Sequence, residues 1–210
     1  MNNLFLFDRD LRQQGFSLLA GIDEAGRGPL AGPVVASAVI LPADWQDDMI
    51  NDSKQLTPKK RDLCFGQIQT HALAVGIGII PEQTIDTVNI LQATYLAVKA
   101  AVQQMQPKPD GLVLDALKID DLLIPQISVI KGDQQSLSIA AASIIAKVTR
   151  DRIMDDYDRQ YPEYGFAKHK GYGTVYHYKA LDQYGPCPIH RNSFLKKWNL
   201  ARENSRLFKA

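Results

Sequence analysis

The sequence predicts an α/β fold in which helices flank both faces of a mixed five-stranded sheet. Three features predict it: three β-rich apolar runs early in the chain, two more that alternate with helical patterns, and a late Ala-rich helix. The small residues of that helix suit close packing against a sheet.

Met1 to Asp10 holds a brief Leu4-Phe5-Leu6-Phe7 run without the basic lead-in or long apolar region of a secretory signal. Ser17 to Asp23 reads as a buried strand, ending where Glu24-Ala25-Gly26-Arg27-Gly28-Pro29 brings in two glycines and a proline. Val34 to Leu41 is the second strand, closed by Pro42, and so few residues separate the two that they can pair antiparallel. Thr57 is placed to cap a helix with Pro58 at its first position, and Leu63, Ile68 and Leu73 fall on that helix. Ala74 to Ile80 is the third strand. One long helix is expected from Glu82 to Met105, with Ile85, Val88, Leu91, Leu96 and Val102 among its apolar residues and Pro107 beyond its end. Gly111 to Leu117 and Pro125 to Ile130 supply the last two strands, and the Ala-rich helix covers Leu137 to Arg152. Near Pro162 to Gly165 the pattern gives way to a Tyr-, Lys- and His-rich part. Residues 1–165 are therefore read as the core and 166–210 as a basic, helical C-terminal extension.

Hydrophobic content of 45% and charged content of 22% exclude disordered and fibrous classes. No apolar stretch is long enough to span a bilayer, so no membrane association is expected. Cys64 and Cys187 are far apart and lack CxxC spacing, which suits a reducing compartment and makes the cytoplasm the expected location. The net charge of +1 hides an asymmetry, since residues 168–210 carry nine Lys/Arg against two Asp/Glu. A basic segment after an acidic body suits an enzyme that holds metal ions in its core and grips phosphates with its edge, although a solvated basic tail gives the same count.

Four carboxylates fall at the ends of predicted strands: Asp23 and Glu24 after the first, Asp115 in the fourth, and Asp133 just after the fifth. Acids in apolar strands need a compensating cation, and Mg²⁺ or Mn²⁺ bound by carboxylate oxygens can neutralise several at once. Asp23 and Glu24 are adjacent, so regular alternation would send them to opposite faces; the chain must bend there if both serve one site, and Gly26 and Gly28 supply the freedom to bend. The segment from Gly26 to Pro33 can present backbone N–H groups to a phosphate, with Arg27 as a forked donor, but it has neither a P-loop ending nor a GxGxxG pattern. In Lys168-His169-Lys170-Gly171-Tyr172-Gly173-Thr174, cations surround a tyrosine held between glycines, a pattern suited to packing on a sugar or base. Taken singly, each motif has a plainer reading: a capped turn or an Arg27 ion pair, a Gly/Pro turn, a tyrosine packed on the core.

Together these blocks resemble the type 2 ribonuclease H family, in particular bacterial ribonuclease HII. The resemblance is carried by Gly21 through Val35, Asp52-Ser53-Lys54-Gln55-Leu56, Asp115, Lys131-Gly132-Asp133, Ser138 through Arg152 and Lys170-Gly171-Tyr172-Gly173-Thr174, in family order over most of the chain. It implies a ribonuclease H-like fold, with Asp23, Glu24, Asp115 and Asp133 as the catalytic, metal-binding carboxylates for two divalent ions, Mn²⁺ or Mg²⁺. It further implies that Gly26, Arg27 and Gly28 recognise the ribonucleotide and its junction with DNA, that Tyr172 packs on the following deoxyribose, and that Ser53 and Lys54 contact the substrate backbone. The implied activity is endonucleolytic: cutting the RNA strand of RNA/DNA hybrids and incising 5′ to single ribonucleotides in duplex DNA, leaving 3′-hydroxyl and 5′-phosphate ends. Ribonucleotide removal from DNA and RNA primer removal are the roles expected of it. The extension would complete the substrate groove, the resemblance favours a monomer, and Asn199 to Ala210 is either a docking tail for a replication partner or more basic surface. Gln55 departs mildly from the family, which often has Lys there.

Two other readings stay open at this point: a different nuclease or strand-transfer enzyme of the same broad fold, and a catalytically silent nucleic-acid-binding module. Cys187 and His190 have CxxH spacing but are too few for a zinc site. His169 and His177 read as surface histidines in a basic loop, Asp120 and Asp121 as solvated, and Asp151 as an ion-pair partner of neighbouring arginines.

Overall fold

Strand alternation decides which helix covers which face of the sheet. The computed structural model describes residues 3–47, 49–50, 53 and 56–200. Five strands, β1 (Leu19–Ala25), β2 (Val34–Ile40), β3 (Ala74–Ile80), β4 (Gly111–Asp115) and β5 (Gln126–Val129), form one sheet in the order β3-β2-β1-β4-β5. β1 runs antiparallel to β2 and parallel to β4, so the expected mixed five-stranded sheet is present and its centre is the first strand.

Ala20 and Ile22 of β1, with Ala36, Ala38 and Ile40 of β2, pack against α4 (Ile90–Gln104) through Ala93, Ala97 and Ala101. The intervening residues face α5 (Leu137–Gln160): Ser37 donates its hydroxyl to the Ala142 carbonyl at 2.6 Å. Gly21 lets α5 lie directly on β1, because a Cβ there would come within 2.0 Å of the Ser138 backbone. The small residues of both helices thus serve close packing, which was expected of α5 from its composition.

Several elements differ from expectation. The long helix after Pro81 is two, α3 (Glu82–Val88) and α4, divided at Asn89, whose φ is 70° and whose side chain accepts from the N–H groups of Leu91 and Gln92. Both halves are apolar on one side, so periodicity does not register the break; the side-chain cap makes it. Leu91 and Leu96 are exposed rather than core, as are Leu63 and Leu73 around α2 (Pro58–His71). Thr57 does cap α2, accepting from Lys60 N–H at 3.4 Å. The Ala-rich helix runs on to Gln160, beyond the expected Arg152.

The N-terminal residues form a helix that periodicity did not assign, α1 (Asn3–Gln13). It buries Leu4, Phe5 and Leu11, and its buried Asp8 accepts from the Ser136 and Ser138 hydroxyls at 2.6 Å each and from Ser138 N–H. These bonds tie α1 to the start of α5. After α5 come α6 (Phe166–His169) and α7 (Val175–Tyr184), which share an apolar cluster with Leu30, Ala31, Met154, Ile189 and Leu195. An isolated β-bridge joins Ala31 to His190. No described helix is long and apolar enough to cross a membrane.

Candidate active site

β1 and β4 are parallel, so their C-terminal ends lie side by side. Their ladder closes at Ile22↔Leu114, one position before Asp23 and Asp115. Equal steps along parallel strands leave paired side chains on the same face, so the sheet register itself brings these two acids together. Just beyond, Ala116 takes a φ of +49°, an uncommon conformation for a side-chain-bearing residue, and turns the chain out of the strand.

β1 does not bend between Asp23 and Glu24. Its pairing with β2 runs unbroken through Glu24↔Ala36 and Ala25↔Val35, and the left-handed turn comes at Gly26, with φ +94°. Both acids nevertheless line one cavity of about 320 Å³, because it opens around the strand end rather than over one face. Glu24 is held there by Arg27, whose guanidinium donates to it at 3.0 Å. Burial, followed by the negative charge of Glu24, pushes the Asp23 carboxyl well above the usual range, with Asp115 adding to the repulsion; a hydrogen bond from Ser143 opposes them.

Ser53 and Ser143 share a hydrogen bond at 2.7 Å. A hydroxyl has one proton, so if Ser143 gives its own to Asp23, Ser53 must be the donor to Ser143. Ser53 is thereby placed in the cavity wall, behind the carboxylate. Lys54 lies outside the described residues.

The same cavity is lined by Gly26, Arg27, Gly28 and Tyr172. The Tyr172 ring edge stands 3.7 Å from where a Gly28 Cβ would be, so ring and turn meet in the cavity lining. Asp133 is the exception among the expected residues. It is buried in the single turn Gly132–Gln134 and does not line the cavity, although Gly132 N–H donates to Asp115 Oδ1 at 2.8 Å and fixes that turn beside the site. Among the described residues no three Asp, Glu, His or Cys side chains are drawn close enough to enclose an ion as they stand.

The family model described as Ribonuclease HII matches residues 20–197. A Ribonuclease HII from Acetivibrio thermocellus is 57% identical over 193 residues, covering 92% of this chain and 75% of the relative. The chain belongs to the ribonuclease HII family. It is accordingly a ribonuclease H, an enzyme that cleaves RNA in RNA/DNA hybrids. The ribonuclease H2 of Pyrococcus horikoshii OT3 superposes with a TM-score of 0.71 at 28% identity, covering 91% of this chain and 98% of that one. Bst-RNase HIII in complex with Mn²⁺ gives 0.62 at 19% identity, covering 82% and 65%, which shows the shared fold.

Sequence reasoning missed several residues of this ribonuclease HII site. Ser143, Lys147 and Arg150 all line the cavity. Their i, i+4, i+7 spacing, beginning in the apolar first half of the helix, was the available signal. Asp151 is an ion-pair partner, as expected, but of Lys147 at 2.6 Å and Arg61 at 3.7 Å rather than of its neighbouring arginines. Asp121 pairs with Lys99. Arg191, counted in the basic segment, grips no surface phosphate: it is fully buried.

The histidines are also not a surface feature. His177 and His190 are buried and His169 half-buried against them, stacked on His177 at 4.5 Å. His177 Nδ1 lies 2.9 Å from the Tyr172 carbonyl, which can only accept, so this nitrogen carries the proton. His177 Nε2 then accepts from His190 Nε2 at 2.9 Å, leaving His190 Nδ1 to accept from Cys187 N–H at 2.9 Å. The chain requires two neutral rings, and burial accordingly lowers both His177 and His190 to about 4. It ends on the backbone of Tyr172.

Proposed function

We propose that this ribonuclease H also incises duplex DNA on the 5′ side of a single embedded ribonucleotide, using two divalent ions and leaving 3′-hydroxyl and 5′-phosphate ends. One observation carries the reading. A single cavity is lined by Asp23, Glu24 and Asp115 together with Gly26, Arg27, Gly28 and Tyr172.

The residues fit a hard divalent cation in charge and donor chemistry. All are carboxylate oxygens, and Asp23 is disfavoured as an anion by burial and by the charges of Glu24 and Asp115, a penalty that a cation between them would relieve. Asp23, Glu24 and Asp115, joined by Asp133 from the adjoining turn, would hold Mn²⁺ or Mg²⁺. The Mn²⁺ complex of the structurally similar Bst-RNase HIII supports this choice. When bound, such ions supply the Lewis acidity that lowers the pKa of an attacking water and offsets charge on the departing 3′ oxygen.

The chain's own residues do the rest. Ser53 and Ser143 hold Asp23 in place, while Arg27 holds Glu24 and carries positive charge at the rim. The backbone of the Gly26–Gly28 turn reads the 2′-hydroxyl, which alone distinguishes a ribonucleotide at a duplex position. Tyr172 packs on the adjoining deoxyribose. Ser53 and Lys54 are assigned contacts with the substrate backbone, and the basic C-terminal extension the completion of the substrate groove. The roles that follow are removal of ribonucleotides and RNA primers from DNA, by a cytoplasmic monomer.

The test is incubation with a duplex bearing one ribonucleotide, beside an all-DNA duplex and an RNA/DNA hybrid, with Mg²⁺, Mn²⁺ or chelator. The expected outcome is metal-dependent incision 5′ to the ribonucleotide and none of the all-DNA duplex. Cutting of the hybrid alone would overturn the junction reading.

A further inference from the structure

We propose that Arg191 is a positioning residue for substrate selection: it turns the peptide groups of Gly26-Arg27-Gly28 so that two successive N–H groups face the substrate cavity. The proposal rests on the reading of that turn given above.

Arg191 is fully buried, and every hydrogen bond its guanidinium makes goes to a backbone carbonyl of one loop. Nη2 donates to Gly26 O at 2.6 Å and Nη1 to Arg27 O at 3.1 Å, while Nε and Nη2 reach Gly32 O at 2.9 and 2.7 Å. Both peptide bonds within the turn are trans. In a trans peptide the carbonyl of one residue and the N–H of the next point in opposite directions. Drawing Gly26 O and Arg27 O inward therefore turns Arg27 N–H and Gly28 N–H outward, on residues that line the cavity. Among the described residues neither N–H donates to a protein acceptor.

The clamp is itself anchored. Arg191 N–H donates to Leu30 O at 2.8 Å, and Ile189 O accepts from Gly32 N–H at 2.9 Å. The next two residues, Asn192 and Ser193, donate their N–H groups to Asp86 at 2.8 and 2.9 Å. A planar fork with fixed donor directions can hold two adjacent carbonyls at once; an ammonium, with three donors at one point, cannot reproduce that span. Arg191 thus acts through the turn and touches no substrate.

The test uses the full chain carrying Asp115→Asn to prevent cutting, with Mg²⁺ present. Affinity is measured for a duplex with one ribonucleotide and for the same duplex in all-DNA form, with and without Arg191→Lys. Lysine is expected to reduce the preference for the ribonucleotide duplex about tenfold by weakening that complex alone, as loss of well-placed donors does. A purely structural role would weaken both complexes together. A preference retained by folded Arg191→Lys would overturn the proposal. No preference in the parent would instead sink the reading of the turn, and this proposal with it. An experiment on the unsubstituted protein does not depend on the variant folding. The amide protons of Arg27 and Gly28 should exchange readily with solvent, and should shift on adding the ribonucleotide duplex in Ca²⁺ but not the all-DNA duplex. Slow exchange in the free protein would show that they face inward and would overturn the proposal.

Discussion

Two sets of residues that line the cavity are held in different ways. Among the carboxylates, Asp23 and Asp115 owe their meeting to sheet register, where two parallel strands end level with each other. The Gly26–Gly28 turn and Tyr172, by contrast, belong to loops, and distant buried side chains hold them. Arg191 grips the turn, Arg150 donates to Ala31, Pro33 and Lys170 carbonyls, and His177 holds the Tyr172 carbonyl. On the proposed function, chemistry is mounted on strand ends and selectivity on loops. The two should therefore be separable by experiment.

The largest effect is expected at the carboxylates. Asp115→Asn should lower kcat on every substrate by on the order of a thousandfold, the scale on which lost electrostatic stabilisation of a transition state acts. Its thermal midpoint should not fall, because the change also removes a negative charge facing Asp23. A marked drop in midpoint would show that the acid supports the sheet end and would undo the contrast.

An intermediate effect is expected at Tyr172. Tyr172 is about half exposed beside Gly28, so Tyr172→Ala should reduce kcat/KM on the ribonucleotide duplex about tenfold to a hundredfold, in line with the loss of one stacking ring. Tyr172→Phe should be mild, since the ring is kept. Equal losses in the two variants would transfer the role to the hydroxyl.

The smallest effect is the pH dependence of stability that the histidines behind Tyr172 contribute. His177 and His190 titrate near 4 when folded and near the ordinary histidine value when unfolded. Between those values the unfolded chain carries more protons on these two rings, so their contribution to stability is full above about 6.5 and declines as pH falls toward 4. Denaturant titrations of the wild type and of His177→Gln should diverge in that interval and run parallel above it. Identical pH slopes would remove the histidine chain from the account of Tyr172.

Much of this was legible in the sequence because it is local. Apolar runs at strand length, Thr57-Pro58, and acids at strand ends each follow from near neighbours, and all five strands stand within a few residues of expectation. The helix break at Asn89 was hidden because a capping side chain, not a change in apolar pattern, makes it. Helix α1 was hidden because its partner, the start of α5, lies more than a hundred residues away. Asp133 is the instructive acid: its place after a strand was read correctly, yet a turn with Lys131 at φ +55° leaves it buried beside the cavity instead of in its wall.

By itself, then, the sequence determined the α/β class, the strands, the acids that end them and, through family resemblance, the chemistry, since periodicity and turn residues are short-range signals. Only the tertiary structure decided that Asp23 and Glu24 share a site without a bend, that Ser53 supports a carboxylate through Ser143, and that Arg191 serves the glycine turn and not the surface. Each of these depends on which groups meet across long stretches of chain, where a buried donor must find an acceptor, and sequence spacing does not encode that pairing.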